Sequence, residues 1–256
     1  MNTFASETAP SASQPGAALP PPVLGAEIAA RHHQVRVGGD WYDFVRVGPR
    51  VIFTLLDVAG DHKSSLPVTA GVQTTFRNQA NDLFSTEALN ESEALAELAL
   101  QMNLAVIHAA QEPRCTATFL CSYHEELGTA WYVCAGHVPP VVRDASGVTD
   151  LFATGLPLGL FAHSLQEARV CVVEPGATLL AVSRGLVEAA PHHWLGRHGE
   201  EFGMERVKHT LSATEVSKAE ALCSLLLDTA EAYAGRDSGK PAQNDMTALA
   251  LIRCGK

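Results

Sequence analysis

The fold of this chain turns on residues 38–60. Gly38-Gly39-Asp40-Trp41-Tyr42-Asp43 leads through Phe44-Val45-Arg46-Val47 and Gly48-Pro49 into Arg50-Val51-Ile52-Phe53-Thr54-Leu55-Leu56-Asp57-Val58-Ala59-Gly60. The stretch 51–56 reads as an interior strand, and Asp57 ends it. Val47-Gly48-Pro49-Arg50 supplies the turn that joins it to a strand beginning at Asp40. A loop of Gly48-Pro49 pairs Val47 with Arg50 and so Asp40 with Asp57. A turn shifted by one residue, with Pro49 at its favoured second position, makes the two acids diagonal neighbours on one face, and only an odd-length loop splits them. Opposed carboxylates repel and resist burial, so the pair calls for a cation, a shared proton or basic neighbours. From this stretch alone two readings stand open: a divalent-metal site, and an ordinary turn flanked by Asp40 and Asp43.

The rest of the composition narrows the class. With 46% hydrophobic and 18% charged residues, the 256-residue chain matches an ordinary globular protein with ample core, read as one domain. No apolar run is long enough to span a bilayer, and residues 1–10 lack the basic start and apolar core of a secretory signal, so a cytoplasmic protein without membrane attachment is expected. Six cysteines at 115, 121, 134, 171, 223 and 254 show no C-x-x-C spacing and read as reduced core residues. A formal charge of −10 without a Lys/Arg cluster argues against nucleic acid as a partner.

Residues 1–22 are rich in Ala, Ser and Pro and read as a disordered arm, leaving 23–256 as the folded domain. A strand is expected at 27–33, then the hairpin, then a helix over 64–84 with Pro67 in its first turn. Asn90-Glu91-Ser92-Glu93 reads as a capping box opening a helix to about residue 110. Strand pairs follow at 115–123 with 129–134, at 138–143 with 148–152, and at 170–173 with 178–183. A short helix at 186–189, a longer one from near Ser217 to Tyr233, and a last strand at 246–252 complete the pattern. Hairpin-linked strands with inserted helices point to α+β, with two antiparallel sheets packed face to face under outer helices.

In this order the motifs resemble the metal-dependent (PPM) protein phosphatases, in the bacterial branch of stage II sporulation protein E type. The residues that carry the resemblance are Val37-Gly38-Gly39-Asp40-Trp41-Tyr42-Asp43, Leu56-Asp57-Val58-Ala59-Gly60, and Tyr132-Val133-Cys134-Ala135-Gly136-His137-Val138-Pro139-Pro140. They continue with Thr154-Gly155-Leu156-Pro157-Leu158-Gly159, Glu174-Pro175-Gly176, Gly185-Leu186-Val187-Glu188-Ala189, Phe202-Gly203 and Asp245-Met246-Thr247. The resemblance implies an α-β-β-α sandwich flanked by helix pairs. It also implies two Mn2+ or Mg2+ ions at one sheet edge that activate a water against phosphoserine or phosphothreonine. By the same resemblance Asp57 bridges the metals, the Val58 carbonyl ligates one, and Asp40 approaches directly or through water. A phosphorylatable partner of the anti-sigma-factor antagonist type belongs to the same expectation, and a homodimer is a separate one that the resemblance does not carry.

Two positions depart from that pattern. Where relatives have Thr-Asp-Gly, this chain has Ser183-Arg184-Gly185. Where relatives have Asp-Asp before an apolar residue and Thr, it has Asn244-Asp245-Met246-Thr247. A set of about four carboxylates thus becomes two carboxylates, an amide and a cation, with a net charge of about −1, too little to hold two dications together. Metal binding is therefore expected to be weak or absent. Arg184 is expected to meet Asp57 or Asp40 in a charge-assisted bond instead. Asp61, His62 and Asp245 are candidate substitute ligands, although strand alternation is expected to turn Asp245 away. His137 reads as a shaper of its turn, His192, His193 and His198 as a surface loop, and Glu188 as a helix-start acid. Two functions follow: a phosphatase-like domain of weakened or lost catalysis that binds a phosphorylatable regulatory protein, or an active Mn/Mg-dependent Ser/Thr phosphatase.

Overall fold

The computed structural model describes residues 19–33, 39–60, 62–86, 89–110, 114–191, 199–235 and 244–255, with backbone only at 62–64. The expected hairpin forms with a two-residue loop. Strand β2 (Asp40–Val47) pairs antiparallel with β3 (Arg50–Val58), setting Val47 opposite Arg50 and Asp40 opposite Asp57. Strands β4 (Thr116–His124) and β5 (Thr129–Ala135) extend this sheet, and β8 (Arg169–Val172) ends it in the order β2-β3-β4-β5-β8. The second sheet holds β1 (Ala26–His33), β10 (Met246–Arg253), β9 (Thr178–Val182), β6 (Val141–Asp144) and β7 (Gly147–Asp150), in that order.

Alternation along the strands sorts the side chains into three layers. Phe44, Phe53, Leu55 and Phe119 of the first sheet meet Leu179, Ala181, Leu249 and Leu251 of the second in the central core. The opposite face of the first sheet, with Trp41, Ile52, Leu56 and Val58, is covered by α1 (His62–Phe84) and α2 (Glu91–Ala109) through Val72, Phe76, Leu98 and Met102. Leu180, Val182, Ala248 and Ala250 of the second sheet lie under α4 (Gly203–Ala213) and α5 (Ala219–Gly235). This is the expected α-β-β-α sandwich. No described helix is long and apolar enough to cross a membrane.

Several elements differ from the sequence reading. Strands β8 and β9 are not partners: β8 pairs with β5 at the edge of one sheet, whereas β9 lies between β10 and β6 in the other. Every residue of β9 is buried while β8 alternates with exposed positions, so one suits a sheet centre and the other an edge. Residues 138–140 lie outside β6, consistent with prolines that cannot donate to a ladder. Helix α4 was not expected, and its buried stripe is only Val207 and Leu211. Helix α3 spans Arg184–Val187, so Glu188 is its C-cap rather than a helix-start acid. Pro67 falls in the second turn of α1. Asn90 caps α2 as expected, accepting from the Ser92 and Glu93 amides. The arm assigned to 1–22 lies outside the described residues up to residue 18.

Candidate functional site

Asp40 and Asp57 project from β2 and β3 on the face turned toward the second sheet, at the end where the central core stops. Asp40 is 4% exposed and Asp57 half-buried. Burial pushes the Asp40 carboxyl well above its usual range, and Asp57 adds to the rise. Burial also raises Asp57, against which the Arg184 guanidinium works. Opposing acids set by hairpin register are thus the starting chemistry of the site.

The second sheet supplies the polar partners. Ser183 and Thr247 face each other at the ends of β9 and β10, with Ser183 N donating to the Thr247 carbonyl at 2.9 Å and Thr247 N to Ser183 Oγ at 3.0 Å. Thr247 Oγ1 donates to Asp40 Oδ2 at 2.6 Å, a bond that crosses between the sheets. His32 of β1, opposite Thr247 in the ladder, places Nδ1 2.8 Å from the same hydroxyl. Burial lowers the His32 pKa. Neither His32 nor Thr247 was singled out as a site residue, because only the pairing of β1 with β10 brings them to Asp40.

The structure brings the two departing positions together. A Cβ on Gly185 would lie 2.0 Å from the Asp245 carbonyl and 3.1 Å from Asn244 Cβ, so glycine is required where the segment after β9 crosses the one before β10. Asn244 is half-buried there. Asp245 does not turn away as strand alternation predicted. It precedes β10, where no ladder fixes its orientation, and it is buried. Its Oδ2 accepts from Gly39 N at 3.1 Å, and its charge raises the pKa of both Asp40 and Asp57.

The expected bond from Arg184 to Asp40 or Asp57 is not made. Arg184 Nε donates to Glu188 Oε1 at 2.8 Å, one helical turn on, and reaches Asp57 only through its field. Val58 ends β3, its amide donating to the Gly39 carbonyl at 2.9 Å. Asp61 lies outside the described residues, as do His192, His193 and His198, and His62 is described by its backbone alone. Among the described residues, no three His, Cys, Asp or Glu side chains are grouped so as to hold a metal ion.

Asp43 has a structural role. Fully buried within β2, it receives Arg77 of α1 through Nε at 2.6 Å and Nη2 at 3.2 Å. His137 is buried with its ring 6.3 Å from that of Phe119 and Nδ1 2.8 Å from the Val138 carbonyl. All six cysteines are free thiols.

The sandwich with acids at one end of its paired sheets defines the PP2C class of fold. It recurs in the RsbU and RsbW domains of Rv1364c from Mycobacterium tuberculosis, with a TM-score of 0.72 and 23% identity, covering 93% of this chain and 64% of that one. It recurs in the PP2C phosphatase domain and a fragment of the regulatory domain of SpoIIE from Bacillus subtilis, with a TM-score of 0.67 and 16% identity over 90% of this chain and 62% of that one. RsbX in complex with magnesium matches with a TM-score of 0.57 and 12% identity, over 89% and 94% of the two chains. This chain therefore spans less than two thirds of the first two. The profile of the stage II sporulation protein E (SpoIIE) family matches residues 48–253, and the chain belongs to that family. Asp57, Arg184 and Asn244 fall inside the matched span, and Asp40 falls before it.

Proposed function

We propose that this SpoIIE-family domain has weakened or lost hydrolytic activity and regulates signalling by binding a phosphorylatable partner protein. The observation that carries the reading is that the segment holding Arg184 crosses the one holding Asn244, with the Arg184 charge acting on Asp57. Two dications held close together need several carboxylate oxygens, whereas here the two crossing segments carry a guanidinium and an amide. This donor set does not fit a two-metal centre. What the chain's own residues can do is hold Asp40 through Thr247, hold Asp245 on the Gly39 amide, and present Arg184 at the surface. The M. tuberculosis relative carries an RsbW domain beside its RsbU domain. That supports a regulatory protein, of the anti-sigma-factor antagonist type, as the partner.

A second reading, an active Mn/Mg-dependent phosphoserine and phosphothreonine phosphatase, is favoured by one observation: Asp245 reaches the acid pair after all. Calorimetry with Mn2+ beside a turnover assay on a phosphoserine protein separates the two. The binder reading expects at most weak metal-dependent turnover, and expects the double variant Arg184→Asp with Asn244→Asp to gain Mn2+ affinity. Robust metal-dependent turnover in the natural chain, abolished by Asp57→Asn, decides for the enzyme.

A further inference from the structure

Arg184 stands at the lip of the site with its side chain 61% exposed. Its Nε bond to Glu188 fixes the plane of the guanidinium, and among the described residues that is the bond it makes. The edge carrying the two terminal nitrogens is left for an outside acceptor. The surrounding acids are mostly engaged: Asp40 by Thr247, Asp245 by the Gly39 amide, and Glu188 by Arg184 itself. Asp57 is the acid still open toward the lip, within the fields of Arg184 and Glu188. Arg114 Nη1 donates to the Ala59 carbonyl just beyond β3, and Arg184 is the cation whose field reaches Asp57.

We infer that Arg184, oriented by Glu188, grips the phosphate of a phosphorylated serine or threonine on the partner protein directly, without a metal between them. The inference rests on the binder reading above and names the group that is read. A planar edge with parallel N–H donors matches two phosphate oxygens in a bidentate grip. A dianionic phosphate also gains more than a carboxylate from the cation at the lip, Arg184. The arrangement carries its own opposing term, because Asp57 repels the same dianion. Replacing Asp57 by a neutral isostere therefore strengthens the contact, a change of sign that a merely structural role for Arg184 does not produce.

The test is an NMR titration of the full chain in excess chelator, following the Arg184 Nε–H and Gly185 amide signals. The probes are N-acetyl-O-phosphoserine amide, its unphosphorylated form and inorganic phosphate. The phosphoserine probe is expected to shift both signals saturably and to bind more tightly than inorganic phosphate, with no response to the unphosphorylated form. Arg184→Ala weakens binding about ten-fold, Arg184→Lys keeps the charge but loses the fork and falls between, and Asp57→Asn tightens binding severalfold. The inference is overturned by an absent response in chelator, by affinity unchanged in Arg184→Ala, or by inorganic phosphate binding as tightly as phosphoserine. Metal-dependent turnover is read in the separate assay above, so failure of the binder reading is distinguishable from failure of this one.

Discussion

Asp40 and His137 are both buried ionisable side chains, and burial acts on their protons in opposite directions. The folded state holds a proton on Asp40 that the unfolded chain releases above its ordinary pKa of 3.8. Stability therefore falls as pH rises from 3.8 toward the raised native value, and stays low above it. Asp40→Asn is expected to raise the unfolding midpoint at neutral pH and to bring no gain below pH 3.8, as a paired series of thermal melts checks. His137 runs the other way, because burial lowers its pKa from 6.5 to about 4. The unfolded chain takes up a proton there before the native one does, so stability is full above pH 6.5 and declines as pH falls toward 4. The loss is about 3 kcal/mol by pH 4. Denaturant melts of His137→Gln should show that acid slope flattened, and an unchanged slope means that another group sets it.

At the scale of elements, the tie between Asp43 and Arg77 fixes α1 on β2. Arg77→Ala leaves a fully buried carboxylate with only the Phe44 amide among its described bonds beside the lost guanidinium. Arg77 is 41% exposed, so solvent screens part of the loss, and a cost of about 2 kcal/mol is expected in chemical denaturation. Pairing the change with Asp43→Asn should recover part of that cost. This tie was hidden in the sequence because Asp43 and Arg77 are 34 residues apart and no local rule joins them. What local rules do govern was legible: a two-residue turn at Gly48-Pro49 fixed the register that opposes Asp40 and Asp57, and Asn90 announced the start of α2. Glu174-Pro175-Gly176-Ala177 misled, because the same turn chemistry serves a hairpin or a crossing between sheets, and burial alone decides. Asp245 misled for a related reason: alternation applies inside a ladder, and this residue lies just outside one.

At the scale of the whole molecule, the site exists only where the two sheets close on each other. Asp40 and Asp57 come from one sheet, Ser183, Thr247 and His32 from the other, and the bond from Thr247 to Asp40 ties them at that end. The motifs of the sequence marked both halves of the site, yet the joint between them depends on residues 207 positions apart. Thr247→Val preserves shape but leaves the buried Asp40 oxygen without this donor, at a cost of about 1–3 kcal/mol. Its consequence reaches both sheets. Amide exchange is expected to quicken at Val58 of the first sheet and at Ser183 of the second, while the hairpin of β6 and β7, away from the joint, keeps its protection. Faster exchange confined to the second sheet means that the Thr247 hydroxyl serves its own strand alone. Faster exchange at both ends shows that the polar site and the closure of the sandwich are one cooperative unit, so that substitutions made to alter the site also alter how the sheets hold together.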